Sequence, residues 1–158
     1  MDSVCCSRLN PLHWDMVFWD WDRKPFYNVV YWSIMHIPLN MNSAMEKAAR
    51  EIREHGLEDE NPIMLSRGEV MFQSSLLISI KEYTDELPVE TLTGRYYTRL
   101  FEGRYNDKGR YVKETRSDLE GRGLKAREFM FYYPTCPACF QKTKKAQMVV
   151  FAELKEQA

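Results

Sequence analysis

The chain lacks any run of about 18 apolar residues, the length that a membrane-spanning helix requires, and its first residues, MDSVCCSRLN, lack the apolar stretch of a signal peptide. No membrane partner is therefore expected, and the cytoplasm is the expected compartment. Neither sign of charge is in excess: 22 Lys and Arg stand against 23 Asp and Glu, a formal net charge of −1. Near-neutrality supplies no overall field to attract DNA or RNA, so no nucleic-acid partner is expected. A long biased tract is missing, which excludes disorder as the default. So are a Ser-His-Asp set, a phosphate loop and a dinucleotide fingerprint. Cysteine is sparse, at four residues. In a reducing compartment Cys5, Cys6, Cys136 and Cys139 read first as thiols or metal ligands, and only second as disulfides.

What is abundant is aromatic surface. Phe, Trp and Tyr make up 13% of 158 residues, and such side chains build stiff apolar walls in cores and ligand pockets alike. A chain of this length forms one domain, or two small halves sharing a core.

The first 27 residues have no clean period, and Trp14, Trp19 and Trp21 alternate there with acidic residues. Three tryptophans so close together are unfavourable in water, so 1–27 reads as a strap that buries them across the domain. Val29 to Leu39 (VVYWSIMHIPL) then reads as a strand. Ser43-Ala-Met-Glu46 has the form of a capping box, and Met45, Ala48, Ala49 and Ile52 fall on one helical face that Gly56 ends. Ile63 to Ser66 and Glu69 to Ile80 pair as a hairpin about Arg67-Gly68. After a polar connector at 81–93 the order repeats. Gly94 to Tyr105 predicts a strand, Asp107 caps a helix with the stripe Tyr111, Val112, Thr115 and Leu119 that Gly121 and Gly123 close, and Glu128 to Tyr133 and Gln147 to Leu154 predict two strands. The reading is α+β: two β-α-β-β units, 28–80 and 94–158, with helix starts about 65 positions apart. Antiparallel sheets would carry their helices on one side and leave a ligand cleft between the repeats.

The string GRYYTRLFEGRYNDKGRYVKE resembles the Gly-x-Tyr … Phe-Glu-Gly-Pro-Tyr segment of GyrI-like small-molecule-binding proteins. Further blocks, including Cys5-Cys6-Ser-Arg, Trp14-Asp15, His36-Ile-Pro-Leu-Asn40 and YYPTCPAC followed by VVFAEL, resemble a stand-alone branch labelled as hydrolases. The resemblance implies a duplicated β-α-β-β fold that binds small molecules. Relatives of this type include effector domains of multidrug-responsive regulators, an inhibitor of DNA gyrase, and hydrolases of cyclopropane-type toxins. Drug-binding members carry an acidic residue early in the final strand, where this chain reads Gln147-Met148-Val149-Val150. The expected ligand is accordingly a small, largely apolar or aromatic molecule. Catalysis is left open, as is a protein partner such as gyrase.

The candidate residues follow from side-chain alternation along the predicted strands. Matching helix starts pairs Trp32 with Tyr97 and His36 with Phe101, and that face, with Phe72, Tyr132 and Tyr133, is expected to line the cleft. For each aromatic, core packing is the competing reading. Glu102, between Phe101 and Gly103, is the candidate general acid or base, with Tyr97 or Tyr132 to help position a water and stabilise developing charge. Its other reading is a carboxylate paired at the sheet edge with Arg99 or Arg104. A lone histidine in such a strand, as His36 is, is more often a hydrogen-bonded core residue than a catalyst. No cofactor is required. Zinc is left open at Cys136-x-x-Cys139 with Cys5 and Cys6, beside free thiols and a redox pair.

Overall fold

Burial alternates residue by residue from Tyr27 to Ile34 because every second side chain of a strand meets the same face. This stretch is the second half of one long strand, β1 (Val17–Ile34). The computed structural model describes residues 8–34, 37–67, 73–135 and 142–155. In chain order it contains a one-turn helix α1 (Pro11–Trp14), β1, a two-residue β2 (Ile37–Pro38), α2 (Met41–Glu54), β3 (Met64–Ser66) and β4 (Gln73–Ser79). β5 (Val89–Gly103), α3 (Lys108–Gly121), β6 (Ala126–Tyr132) and β7 (Ala146–Leu154) follow. The class is α+β with antiparallel pairing. Among the described residues no helix is long and apolar enough to cross a membrane. The chain divides into two units, Trp21–Thr93 and Met1–Asp20 with Gly94–Ala158.

In the unit Trp21–Thr93, β4 pairs with β1 (Val29 opposite Leu76) and with β3 (Leu65 opposite Leu77). One face of these strands receives α2: Tyr27, Val29 and Tyr31 of β1 and Leu76 and Ile78 of β4 pack with Ala48 and Ile52. Gly56, at φ 65°, ends the helix in the left-handed conformation that glycine adopts without strain, and the Leu57 N–H then reaches back to the Ile52 carbonyl.

In the other unit, β7 pairs with β5 (Phe101 opposite Met148) and with β6 (Phe131 opposite Val150). Tyr97, Phe101, Met148, Val150 and Ala152 meet Tyr111 and Leu119 of α3. Gly123, at φ 74°, stops α3 as Gly56 stops α2, with the Leu124 N–H on the Leu119 carbonyl.

Three local expectations differ from what forms. Residues expected to be irregular enter β1 at Val17, and the polar connector becomes strand at Val89. The Ser43 capping box is not made, because α2 begins at Met41 with Asn40 at its N-cap. Asn40 makes no side-chain cap, and its Oδ1 accepts the Trp32 N–H (2.7 Å), tying the helix entry to the end of β1. Asp107 occupies the N-cap of α3 without a side-chain cap, following a 3-10 turn that tightens the entry.

Candidate functional site

In each unit the three paired strands have a helix face and a helix-free face. In the unit with Gly94–Ala158 the helix-free face carries Thr98, Leu100 and Glu102 of β5 and Gln147, Val149 and Phe151 of β7, with Tyr132 of β6 opposite Val149. The N-terminal segment lies on this face. Asn10 accepts the Leu12 N–H (3.0 Å) and starts α1 with Pro11 at the first turn, where a missing N–H costs nothing. That turn sets Trp14 against Tyr132 (centroids 5.5 Å) and Phe151 (6.3 Å), with Trp19 at 5.4 Å from Trp14.

Polar groups fix the register. Thr98, fully buried, donates to the Trp14 carbonyl (2.8 Å) and accepts from Trp19 Nε1 (2.9 Å). Asp15 Oδ1 accepts the Leu100 N–H and Arg99 Nε, both at 2.9 Å. At the far end Glu102 forms an ion pair with Arg8, and the Leu9 N–H donates to Gln147 Oε1 (2.8 Å) while Gln147 Nε2 donates to the Leu9 carbonyl (3.4 Å). The Glu102 side chain keeps 34% of its surface exposed. Gly103, next along β5, lies against the Tyr111 hydroxyl so closely that a Cβ there would collide with it.

Tyr97 and Phe101 lie on the opposite face. Tyr97 is fully buried under α3, donates its hydroxyl hydrogen to Asp118 and packs on Phe18 (4.7 Å). Phe101 stacks on Tyr111 at 4.4 Å and 11°. Burial, then the hydrogen bond and charge of Asp118, push the Tyr97 hydroxyl up to about 12. Burial by itself would raise the Asp118 carboxyl. Hydrogen bonds from Tyr97 and Arg122, with the charges of Arg122 and Arg99, outweigh it and hold the group below its ordinary value. Arg99 joins Asp118 (3.4 Å) to Asp15 (2.9 Å), so the helix and the N-terminal segment share one cation. The other unit repeats the pair: Tyr27 donates to Glu51 of α2, and burial with Glu51 raises its pKa. Glu51 and Asp118 each directly precede the last buried apolar residue of their helix, Ile52 and Leu119, and that sequence signal was available.

In the unit Trp21–Thr93 the helix-free face ends in Val30, Trp32 and Ile34, which are 46%, 51% and 49% exposed, with Gln73 opposite Trp32. Trp32 therefore points away from α2, whereas Tyr97 and Phe101 point toward α3. Matching by helix starts set Trp32 beside Tyr97, but Tyr97 holds under α3 the place that Tyr27 holds under α2. The strand-to-helix spacings of the two units differ, and an odd offset moves a residue to the opposite face. Tyr132 shares the face of Glu102. Tyr133 packs with the helix-side cluster, 6.4 Å from Phe131.

His36, Phe72, Cys5, Cys6, Cys136 and Cys139 lie outside the described residues. Among the described residues no group of three or more His, Cys, Asp or Glu side chains gathers as a metal site requires. No role at a site was assigned from the sequence to Arg8, Asp15, Asp118 or Gln147, and Arg99, expected beside Glu102, pairs with Asp15 and Asp118.

The family described as "Bacterial hydrolase" matches residues 1–154. Among solved structures, the crystal structure of a hydrolase from Listeria innocua is similar, with a TM-score of 0.63 and 11% identity over 89% of this chain and 92% of that one. At that identity the likeness is one of fold. No curated protein matches the chain.

Proposed function

Because the chain belongs to the bacterial hydrolase family, we propose that it is a member that binds a small, largely apolar or aromatic molecule on the helix-free face around Trp32. The observation that carries this reading is the exposed row Val30, Trp32 and Ile34. Three large apolar side chains on one strand face are unfavourable in water, and a flat ligand stacked on the indole would relieve that exposure. Gln73, opposite Trp32, offers an amide to orient it.

The same reading takes the two units as copies of one GyrI-like β-α-β-β module. Its support is detailed agreement: a first strand paired to the last, a middle strand paired to that last strand, a buried tyrosine bonded to a helix carboxylate, and a left-handed glycine stop. Under this equivalence Trp32 and Gln73 in one copy correspond to Glu102 and Gln147 in the other.

Hydrolysis is the second reading, favoured by the family's description. Glu102 is its general base, with Tyr132 on the same face to stabilise developing charge, and cyclopropane-type compounds are the substrate class that the GyrI-like likeness implies. Titration with Nile red, an uncharged aromatic probe, tests the binding reading. Trp32→Ala is expected to weaken binding about tenfold, and unchanged affinity would overturn it. Glu102→Gln tests the second reading: turnover of strained-ring or ester substrates should vanish with folding intact, and an unchanged rate removes Glu102 from the mechanism.

A further inference from the structure

Gln147 is the point of departure. Its side chain is on a residue only 5% exposed, yet both ends of its amide are used by one backbone residue: Oε1 accepts the Leu9 N–H at 2.8 Å and Nε2 donates to the Leu9 carbonyl at 3.4 Å. A residue in extended conformation presents its N–H and C=O to the same side, so a buried side-chain amide can grip it as a neighbouring strand would. Directly opposite Gln147 on β5 stands Glu102, whose carboxylate holds the guanidinium of Arg8, the residue before Leu9. Arg8 and Glu102 both remain partly open to water, with side chains 60% and 34% exposed. The two anchors are thus a carboxylate for a guanidinium and, one strand over, an amide for the N–H and C=O of the following residue, which belong to successive peptide groups.

We propose that Glu102 and Gln147 form a recognition site for arginine-containing peptides, the carboxylate taking the guanidinium and the Gln147 amide taking the N–H and C=O of the residue after the arginine, and that the chain's own Arg8–Leu9 segment occupies this site as an internal ligand. The inference goes beyond the apolar site at Trp32, and it holds whether or not Glu102 also activates a water. Two features distinguish the arrangement from an ordinary surface contact. The Gln147 amide is buried, so both of its ends need partners, and one residue of extended backbone supplies a donor and an acceptor on the same side, as Leu9 does. The carboxylate lies at the directly opposed position of the adjacent strand, where side chains approach within about 5 Å. An external molecule must displace Arg8 and Leu9, so its apparent affinity is reduced by the fraction of time the segment stays seated.

The test uses the full chain and calorimetric titration with acetyl-Arg-Leu-methylamide, which carries the guanidinium and both the N–H and the C=O of the residue after it. Arg8→Ala removes the internal cation while leaving Glu102 and Gln147 in place, and Arg8 is exposed enough that folding should be retained. The variant is expected to bind the probe about tenfold more tightly than the unaltered chain, because its carboxylate is no longer occupied. The double variant Arg8→Ala/Glu102→Gln should lose that gain, since a charge-assisted bond becomes a neutral one. Agmatine, a guanidinium without an amide, should bind Arg8→Ala about tenfold more weakly than the methylamide. Equal binding to the unaltered chain and Arg8→Ala, or none to either, overturns the internal-ligand assignment. Retention in the double variant overturns the role of Glu102, and agmatine binding equal to the methylamide overturns that of Gln147.

Discussion

The helix-free faces of the two units are both buried over much of their length, at Phe26, Leu65 and Leu77 in one and at Thr98, Val149 and Phe151 in the other, and they differ at one end. In the unit with Gly94–Ala158 that face is covered by the chain itself: Trp14 and Trp19 lie on Tyr132 and Phe151, while Asp15, Arg8 and Leu9 take polar partners along its length. In the unit Trp21–Thr93 the face ends in Val30, Trp32 and Ile34, each about half exposed. Strand pairing and helix packing follow the same scheme in both. The difference therefore teaches that sheet architecture alone does not make a binding surface. What matters is whether another segment of the chain supplies a cover of matching chemistry.

The largest expected effect is on the covered face. Trp14→Ala strips ring contacts from Tyr132 and Phe151, and it should lower stability by about 3 kcal/mol in urea denaturation. A loss below about 0.5 kcal/mol, typical of surface positions, would mean that the cover contributes nothing in solution. Next is Arg99→Ala. This cation, its side chain 18% exposed, serves both Asp15 and Asp118. Its removal should cost about 2 kcal/mol, between the values for exposed and buried pairs. If the loss reflects tethering of the N-terminal segment, hydrogen exchange at the Met16 and Leu100 amides should accelerate with it.

A smaller effect concerns what the two units share. The Tyr97 hydroxyl is pushed from 10.0 up to about 12 on folding. Between those values the folded chain keeps a proton that the unfolded chain has lost. The stabilisation is therefore complete below pH 10 and disappears as pH rises toward 12. Tyr97→Phe should flatten the fall of melting temperature between pH 10 and 12, and Tyr27→Phe should do the same, because Tyr27 is also shifted upward. A steep fall retained in both variants would assign the alkaline transition to other groups. Asp118, held low, acts at the other limit: its contribution is lost as pH falls below its unfolded value of 3.8. The smallest effect is at the exposed end of the other face, where Trp32→Ala should change stability by less than about 0.5 kcal/mol while weakening ligand binding. A large loss of stability there would mean that the indole is a packing residue.

Much of the local structure was legible. The Gly56 and Gly123 stops, the α2 stripe of Ala48 and Ile52 and the α3 stripe of Tyr111, Thr115 and Leu119 all follow from spacing, because helix periodicity and the left-handed glycine are properties of a few neighbouring residues. Strand parity was not legible. Matching Trp32 to Tyr97 failed by an odd number of residues, and in a period-two element that reverses inside and outside. Glu102 and Tyr132 stood out in the sequence, but their neighbours Arg8 and Gln147 did not, because each is an ordinary polar residue far away along the chain.

The sequence by itself determined the α+β class, the order of strands and helices, and where the helices stop, since these rest on local preference and hydrophobic period. Only the tertiary structure decided which face each aromatic takes and that Asp118 and Glu51 hold buried tyrosines. It also decided that residues 8–20 cover one sheet while Trp32 remains exposed on the other. Those outcomes depend on contacts between residues tens of positions apart, and no local pattern encodes the register that brings them together.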